Sequence, residues 1–465
     1  MNRTVKYILL GLAAVGVGIG AFLLIGSNRD AYLNTLPHDV QAIGRFDVGR
    51  FFMEAPLTAT RRTALINRIL DGKDVDATGI DFSRPVYGFV SKDGYFGASC
   101  KVKDKEDLTL FLSNVHEGHS VSIQQQRGYS WAVIDRSYLM AFDSNKALVM
   151  GPAVGAAQDQ LRGLMYRYME QGKKESAIGT PLFNHVNDYD EPLAAVLTSG
   201  LLPYPVCKTL SPVVPSSVME RLLVGLTAEV EEQAVIVETN LLTDDAEVQR
   251  KINDVEEMFQ KIDGQLLDES HENAAAWACI HVEGNDVLQV LRKVPVIRTA
   301  LIALNLTLDA DQIIKAIDGD LALEVAALPG TDLLRDKPLC LTVQLNNTKF
   351  LDNAGYWLQM SGLGGLSART PTDFKFGWGH NSIYFGTRGR NFYATNQESL
   401  STADGNAYLL SRKDEVKGKR LYATVDASQL TNDPNLSVLA NYCTRINLSM
   451  KKLGECKFEI LLKNE

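Results

Sequence analysis

Residues 7–26 of this 465-residue chain read YILLGLAAVGVGIGAFLLIG and carry no charge. Such a run narrows the folding options, because backbone amides cannot go unpaired in an apolar medium and a helix pairs them internally. At about 1.5 Å rise per residue it is roughly 30 Å long, the thickness of a bilayer core. Eleven of its positions are Leu, Ile, Val or Phe, each favouring insertion. Arg3 and Lys6 precede it, which places that end in the cytoplasm and the body in the periplasm. A cleaved signal peptide usually has an apolar core of about 7–15 residues ending in small residues. A cut after Gly20 would leave AFLLIG on the mature terminus. Leu24-Ile25-Gly26 has the look of a lipobox, but Ser27 stands where the lipid-accepting Cys must be. The expectation is an uncleaved single-pass anchor, a membrane contact through residues 7–26. Gly16 and Gly20 have the small-xxx-small spacing that lets two such helices pack as a homodimer.

The 435 or so residues beyond the anchor exceed one hydrophobic core. The net charge of −9 and pI near 5.4 argue against nucleic acid, which needs a basic face. Six cysteines, at 100, 207, 279, 340, 443 and 456, form no CxxC or zinc-type pair. Cys100, Cys279, Cys340 and Cys456 lie in apolar, β-like runs and read as small buried hydrophobes. Cys443 and Cys456 invite a disulfide, yet Leu453-Gly454-Glu455 reads as a hairpin turn that sets Cys456 opposite a residue near 452.

Alternation and turn residues predict strands at Val40–Phe46, Val86–Val90 and Tyr95–Val102, a helix at Lys105–Ser113, then a meander over Tyr129–Asp135, Tyr138–Asp143 and Lys146–Met150. Ala153–Glu170 has apolar residues at helical spacing. Pro181–Pro215, rich in Pro and Gly, reads as irregular. Leu222–Glu231 and Ala234–Leu242 alternate as a hairpin. Asp244–Gln260 reads as a helix capped by Thr243. A similar order then recurs: a strand at Ala275–Val282, helices over 286–317, a hairpin of Leu321–Ala327 with Leu339–Leu345, a helix at Thr348–Met360, and a meander from Phe374 to Thr395. Leu421–Val425, Arg445–Lys451 and Cys456–Lys463 complete the strands. Copies at about 36–150 and 271–396 give the expected fold class: α+β, two tandem related halves with mainly antiparallel sheets and packed helices, preceded by one N-terminal transmembrane helix. The corresponding domains are a 1–30 anchor, a 31–265 half and a 266–465 half.

The opening Leu36-Pro37-His38-Asp39-Val40-Gln41-Ala42-Ile43-Gly44-Arg45-Phe46-Asp47 resembles the start of an uncharacterised family of Bacteroidota envelope proteins. So do the run from Asn273 through Val282, Val287-Leu288, and Ile317-Asp318-Gly319-Asp320-Leu321-Ala322-Leu323. The resemblance covers most of residues 31–465. It implies an exported protein, usually a lipoprotein, with a duplicated α+β body and no catalytic positions to carry over; Ser27 departs from the lipoprotein pattern.

The candidate sites are few. His116-Glu117-Gly118-His119 sets two imidazoles three apart, whereas a zinc protease needs HExxH on a helix and Gly118 breaks helicity. Ser361-Gly362-Leu363-Gly364-Gly365-Leu366 lacks the GK[ST] ending of a phosphate loop. Gly386-Thr387-Arg388-Gly389-Arg390-Asn391 puts two cations in a hairpin turn, a solvated turn or an anion contact. Trp357, Trp378, Tyr384, Phe385, Phe392 and Tyr393 divide by strand alternation between core and a stacking platform for a sugar or peptide. No serine triad, carboxylate pair or nucleotide fingerprint is present, and no catalytic, cofactor or metal residues are assigned. The expected function is a non-enzymatic envelope protein that scaffolds or binds a protein partner or ligand. A glycan or peptide hydrolase is the alternative.

Overall fold

The computed structural model describes residues 31–54, 75–114, 121–202, 214–231, 233–272, 274–306, 308–326, 339–360, 365–378, 381–398, 405–432 and 441–463. The run 7–26, with Gly16 and Gly20, and Cys207 lie outside these residues. The chain divides into two compact units, one of 1–202 with 222–242 and one of 203–221 with 243–465.

The first unit is built on β1 (Val40–Phe46), β2 (Val86–Ser91), β3 (Phe96–Lys101), β4 (Gln124–Gln126), β5 (Tyr129–Ile134), β6 (Tyr138–Phe142), β7 (Lys146–Gly151), β8 (Leu193–Thr198), β9 (Leu223–Val230) and β10 (Ala234–Leu242). They pair antiparallel in the order β10-β9-β8-β1-β2-β3-β7-β6-β5-β4. Successive side chains point to opposite faces, and here both faces are apolar. One carries Ile43, Tyr87, Leu139, Leu148 and Met150 against the helix Ala156–Glu170. The other carries Phe46, Val86, Met140 and Phe142 with Leu108 and Leu112 of the helix Lys105–Asn114. The segment expected to be irregular holds a helix, Pro181–Asp188, and β8, which lies between β1 and β9.

The second unit holds β11 (Phe259–Gln260), β12 (Ala276–Glu283), β13 (Ile317–Val325), β14 (Leu339–Leu345), β15 (Leu366–Ala368), β16 (Asp373–Trp378), β17 (Asn381–Arg388), β18 (Asn391–Thr395), β19 (Leu421–Asp426), β20 (Cys443–Lys452) and β21 (Glu455–Leu462). Its order is β21-β20-β19-β12-β13-β14-β18-β17-β16-β15, again antiparallel, with β11 sharing an edge of β12. Strand for strand the connectivity follows that of the first sheet. Three helices, Gly284–Lys293, Pro295–Asn305 and Ala310–Lys315, fill the β12–β13 connection.

The expected fold class is therefore corrected. The described body is sheet-rich, and in each unit the helices are subordinate to antiparallel strands. Its compact units are not tandem halves, because residues 203–221 and 243–265, inside the expected first half, group with the second unit, while β9 and β10 between them extend the first sheet through β8. Ladder hydrogen bonds, not sequence adjacency, set membership. No helix among the described residues is long and apolar enough to cross a membrane.

Two smaller expectations resolve on the register. Cys456 pairs with Met450, and Cys443 pairs with Leu462 at the other end of the β20–β21 hairpin. Thr243 does not cap the next helix. Asp245 does, accepting from the amides of Glu247 and Val248.

Candidate functional site

The second sheet separates the aromatic candidates by face. Trp357, Phe385 and Phe392 join Phe350 and Phe374 in one core; Trp357 stacks on Phe350, and Phe374 on Phe385. Tyr384 and Tyr393 point to the opposite face, and cations already cover their rings. Arg369 and Lys375 lie 5.3 and 5.5 Å from the Tyr384 ring centre, and Arg388 lies 5.1 Å from that of Tyr393. The Tyr393 hydroxyl donates to Asp373 Oδ1 at 2.7 Å, and burial followed by that carboxylate pushes its pKa up to about 12. These tyrosines are structural posts for cation–π contacts rather than an open sugar platform. The Trp378 side chain is outside the described residues.

The two cations of the Gly386–Asn391 turn also part company. Arg388 goes to Tyr393, whereas Arg390 lines a cavity of about 340 Å³ with Asn346, Asn347, Thr348, Lys349 and Asp352. The two walls are held together by the Leu345 amide, which donates to the Arg390 carbonyl at 2.9 Å. The Asn346 amide donates to the Ala316 carbonyl at 2.9 Å, and Asn347 Oδ1 accepts from the Lys349 amide at 3.0 Å. Two cations against one carboxylate give the lining a net positive charge. Side-chain amides and a hydroxyl add neutral hydrogen-bonding groups.

A second constellation lies on the face of β12 and β13 that also carries the buried Trp277, Cys279 and Ala322. Gly319, at φ +141°, has Gln344 where a Cβ would stand, at 2.3 Å, and the ladder to β14 shifts register between Ile317 and Leu321. That irregularity brings the Asp320 amide within 2.6 Å of Gln344 Oε1. The Asp320 carboxylate, 0% exposed, accepts from the amides of Asp263 (3.1 Å) and Gly264 (2.9 Å) and meets His281 Nδ1 at 2.8 Å. Burial alone would raise its pKa. The opposing bonds from His281, Asp263 and the two amides outweigh burial and hold it below the usual carboxylate range. The Asp320 hydrogen bond raises His281. Burial, then Asp320, raises Asp263. Four residues along β13, Glu324 repeats the device, meeting His271 Nδ1 at 2.8 Å and its amide at 3.2 Å. Both carboxylates are fully engaged in pinning the chain around residues 263–271 to the sheet, so this acid–histidine convergence is a clasp. Cys279, next along that face, is a buried thiol with its pKa pushed well up by burial.

The His116–His119 pair and Ser361–Gly364 lie outside the described residues. Among the described residues no group of three or more His, Cys, Asp and Glu is placed to hold a metal.

The profile of one protein family matches residues 59–456. The chain belongs to the DUF4836 family. Its description is a domain of unknown function. No curated protein matches the chain. Two solved structures, crystal forms I and III of TP0453, are similar at 11% and 12% identity with TM-scores of 0.29 and 0.25. Each match covers 49% of this chain and 86% of the other. At those TM-scores no property passes from one protein to the other.

In this DUF4836 member the cavity residues Asn346, Asn347, Thr348 and Lys349 go unread in the sequence. The one available signal is the polar stretch Asn346-Asn347-Thr348 that ends the apolar β14. Asp320 lies inside a motif read as strand punctuation, and its partners Asp263 and His281 are dozens of residues away.

Proposed function

We propose that the protein is a non-catalytic binding protein of the bacterial envelope, in Bacteroidota, that takes a small anionic ligand at the Lys349–Arg390 cavity. The observation that carries this reading is the cavity itself. Its volume of about 340 Å³ falls at the lower end of small-molecule sites, about 300–1,000 Å³. Its two cations suit a carboxylate or phosphate, and the amides of Asn346 and Asn347 with the Thr348 hydroxyl suit sugar hydroxyls. An acidic monosaccharide such as a uronate, or a phosphorylated sugar, fits this chemistry. The uncharged run Tyr7–Gly26 supports export and attachment at a membrane, and the resemblance of Leu36–Asp47 supports the envelope setting.

A hydrolase needs an acid or nucleophile with a free valence beside its substrate. The cavity offers a single carboxylate, Asp352, with no histidine or second acid beside it, and the Asp320–His281 pair does not line it. The test is calorimetric titration of the full chain with glucuronate, inorganic phosphate and glucose. Saturable binding of an anion but not of glucose is expected, and Arg390→Ala or Lys349→Ala should weaken it about tenfold or more, the loss of one charge-assisted hydrogen bond. Absence of anion binding, or equal binding by Arg390→Ala, would refute the proposal.

A further inference from the structure

The helix Pro295–Asn305 packs the buried Leu301 and the half-buried Ile297 and Leu304 against its neighbours. Its other side is apolar as well. Val296 is 80% exposed, Ile302 61%, and Leu306, which ends the helix, 67%. At 100° per residue these three share the outward side with Thr299 and Ala303. A surface helix normally turns a polar face to water, and this one does not.

Charge decides among the occupants. In a chain of net charge −9, residues 287–308 contain Arg292, Lys293 and Arg298; Asp286 and Asp309 bracket the run, and Asp309 accepts a hydrogen bond from Asn353. Arg292 pairs with Asp311, while Lys293 and Arg298 are exposed at the start and flank of the apolar side. A second copy would bring like charges together, and one side of a three-turn helix offers far less than the about 800 Å² per partner of a stable dimer. Apolar side chains rimmed by lysine and arginine match the boundary between anionic headgroups and acyl chains.

We infer that Val296, Ile302 and Leu306 form a docking surface for an anionic lipid membrane, which the helix enters lying in the plane of the interface. Docking is independent of the anion cavity.

The full chain is reconstituted with vesicles of phosphatidylcholine, with and without phosphatidylglycerol, carrying brominated acyl chains. Because residues 7–26 can hold the chain on any vesicle, the readout is local: the emission added by Ile302→Trp against that added by Val154→Trp, a position 69% exposed in the first unit. With anionic lipid the emission added by Ile302→Trp should shift to the blue and be lost to bromine quenching, while that added by Val154→Trp is kept. Combining Ile302→Trp with Lys293→Glu and Arg298→Glu should restore the lost emission, with the circular dichroism unchanged. Equal quenching of both reporters, no quenching of the Ile302→Trp reporter, or quenching that survives the charge reversal overturns the proposal. A blue shift without vesicles that grows with protein concentration overturns it in favour of self-association.

Discussion

Replacing Asp320 by Asn tests whether the acid–histidine convergence is a clasp. The carboxylate accepts three hydrogen bonds in a site closed to solvent: two from the amides of Asp263 and Gly264, and one from His281. An amide of the same shape keeps one accepting oxygen. If its NH2 group takes the Oδ2 position, the Gly264 N–H faces a donor; if it takes the Oδ1 position, Asp263 and His281 both lose their acceptor. The first orientation costs less and still forfeits one bond to an ionised acceptor, about 1.5–3 kcal/mol, and weakens the pairing with His281. A loss of about 2–4 kcal/mol follows. With two units in the chain a single unfolding midpoint is ill-defined, so the measurement is amide hydrogen exchange, which reports opening segment by segment. Peptides spanning Asp263 to Glu269 should exchange about 30- to 1,000-fold faster in D320N, whereas D318N, at an exposed neighbour, should leave them unchanged. If D320N slows these amides or changes their exchange less than about threefold, the carboxylate does not hold the segment. Glucuronate binding should survive in D320N, because Asp320 does not line the cavity.

The clasp also sets a pH dependence. A histidine with a raised pKa contributes fully below its unfolded value near 6.5 and loses that contribution as pH climbs through its folded value. Raised Asp263 favours the fold when protonated, while lowered Asp320 contributes above about 4 and loses its contribution as pH falls through its folded value. Protection of residues 263–269, corrected for intrinsic exchange, should thus peak in mild acid and fall toward pH 8. His281→Gln should flatten the upper limb, and protection rising between pH 6 and 8 would contradict the assignment. Trp357→Ala should cost about 3–5 kcal/mol in local exchange measurements, for it empties the core between Phe350 and Phe374. Trp357→Phe should cost much less, since the buried indole N–H has no partner to lose. Gly284→Ala puts a Cβ 1.9 Å from the Ile314 carbonyl oxygen, so helices Gly284–Lys293 and Ala310–Lys315 must part, lowering the thermal midpoint of the second unit.

Elements with a strong local signal are legible in the sequence. The β5–β7 meander, the β9–β10 and β20–β21 hairpins and β12 can be read from alternation and turn residues, because each carries its own pattern. The region from Pro181 to Pro215 cannot. Pro181 reads as a breaker, yet it is the first residue of a helix capped by Thr180, where a missing N–H costs nothing. β8, with sequence LAAVLT, has two alanines and little intrinsic strand preference. It is a strand because β1 and β9 satisfy both of its edges. That information lies in the partners, and without it the strand that joins β1 to β9 stays hidden.

The same limit applies to the sites, and it changes how net charge should be read. Periodicity says which face a side chain takes but not which distant segment meets it. In the second unit Asp320, Glu324, Asp373 and Glu459 are engaged by backbone amides, His281 and His271, a tyrosine hydroxyl and Arg412. The cations at the proposed sites, Lys349 and Arg390 at the cavity and Lys293 and Arg298 beside the apolar helix, are exposed. A chain of net charge −9 thus offers locally positive chemistry at both places. Whole-chain charge counts buried and paired acids equally with open cations, and only open groups choose a ligand. The selectivity expected of this protein, anions at one site and anionic lipid at the other, therefore runs opposite to its pI.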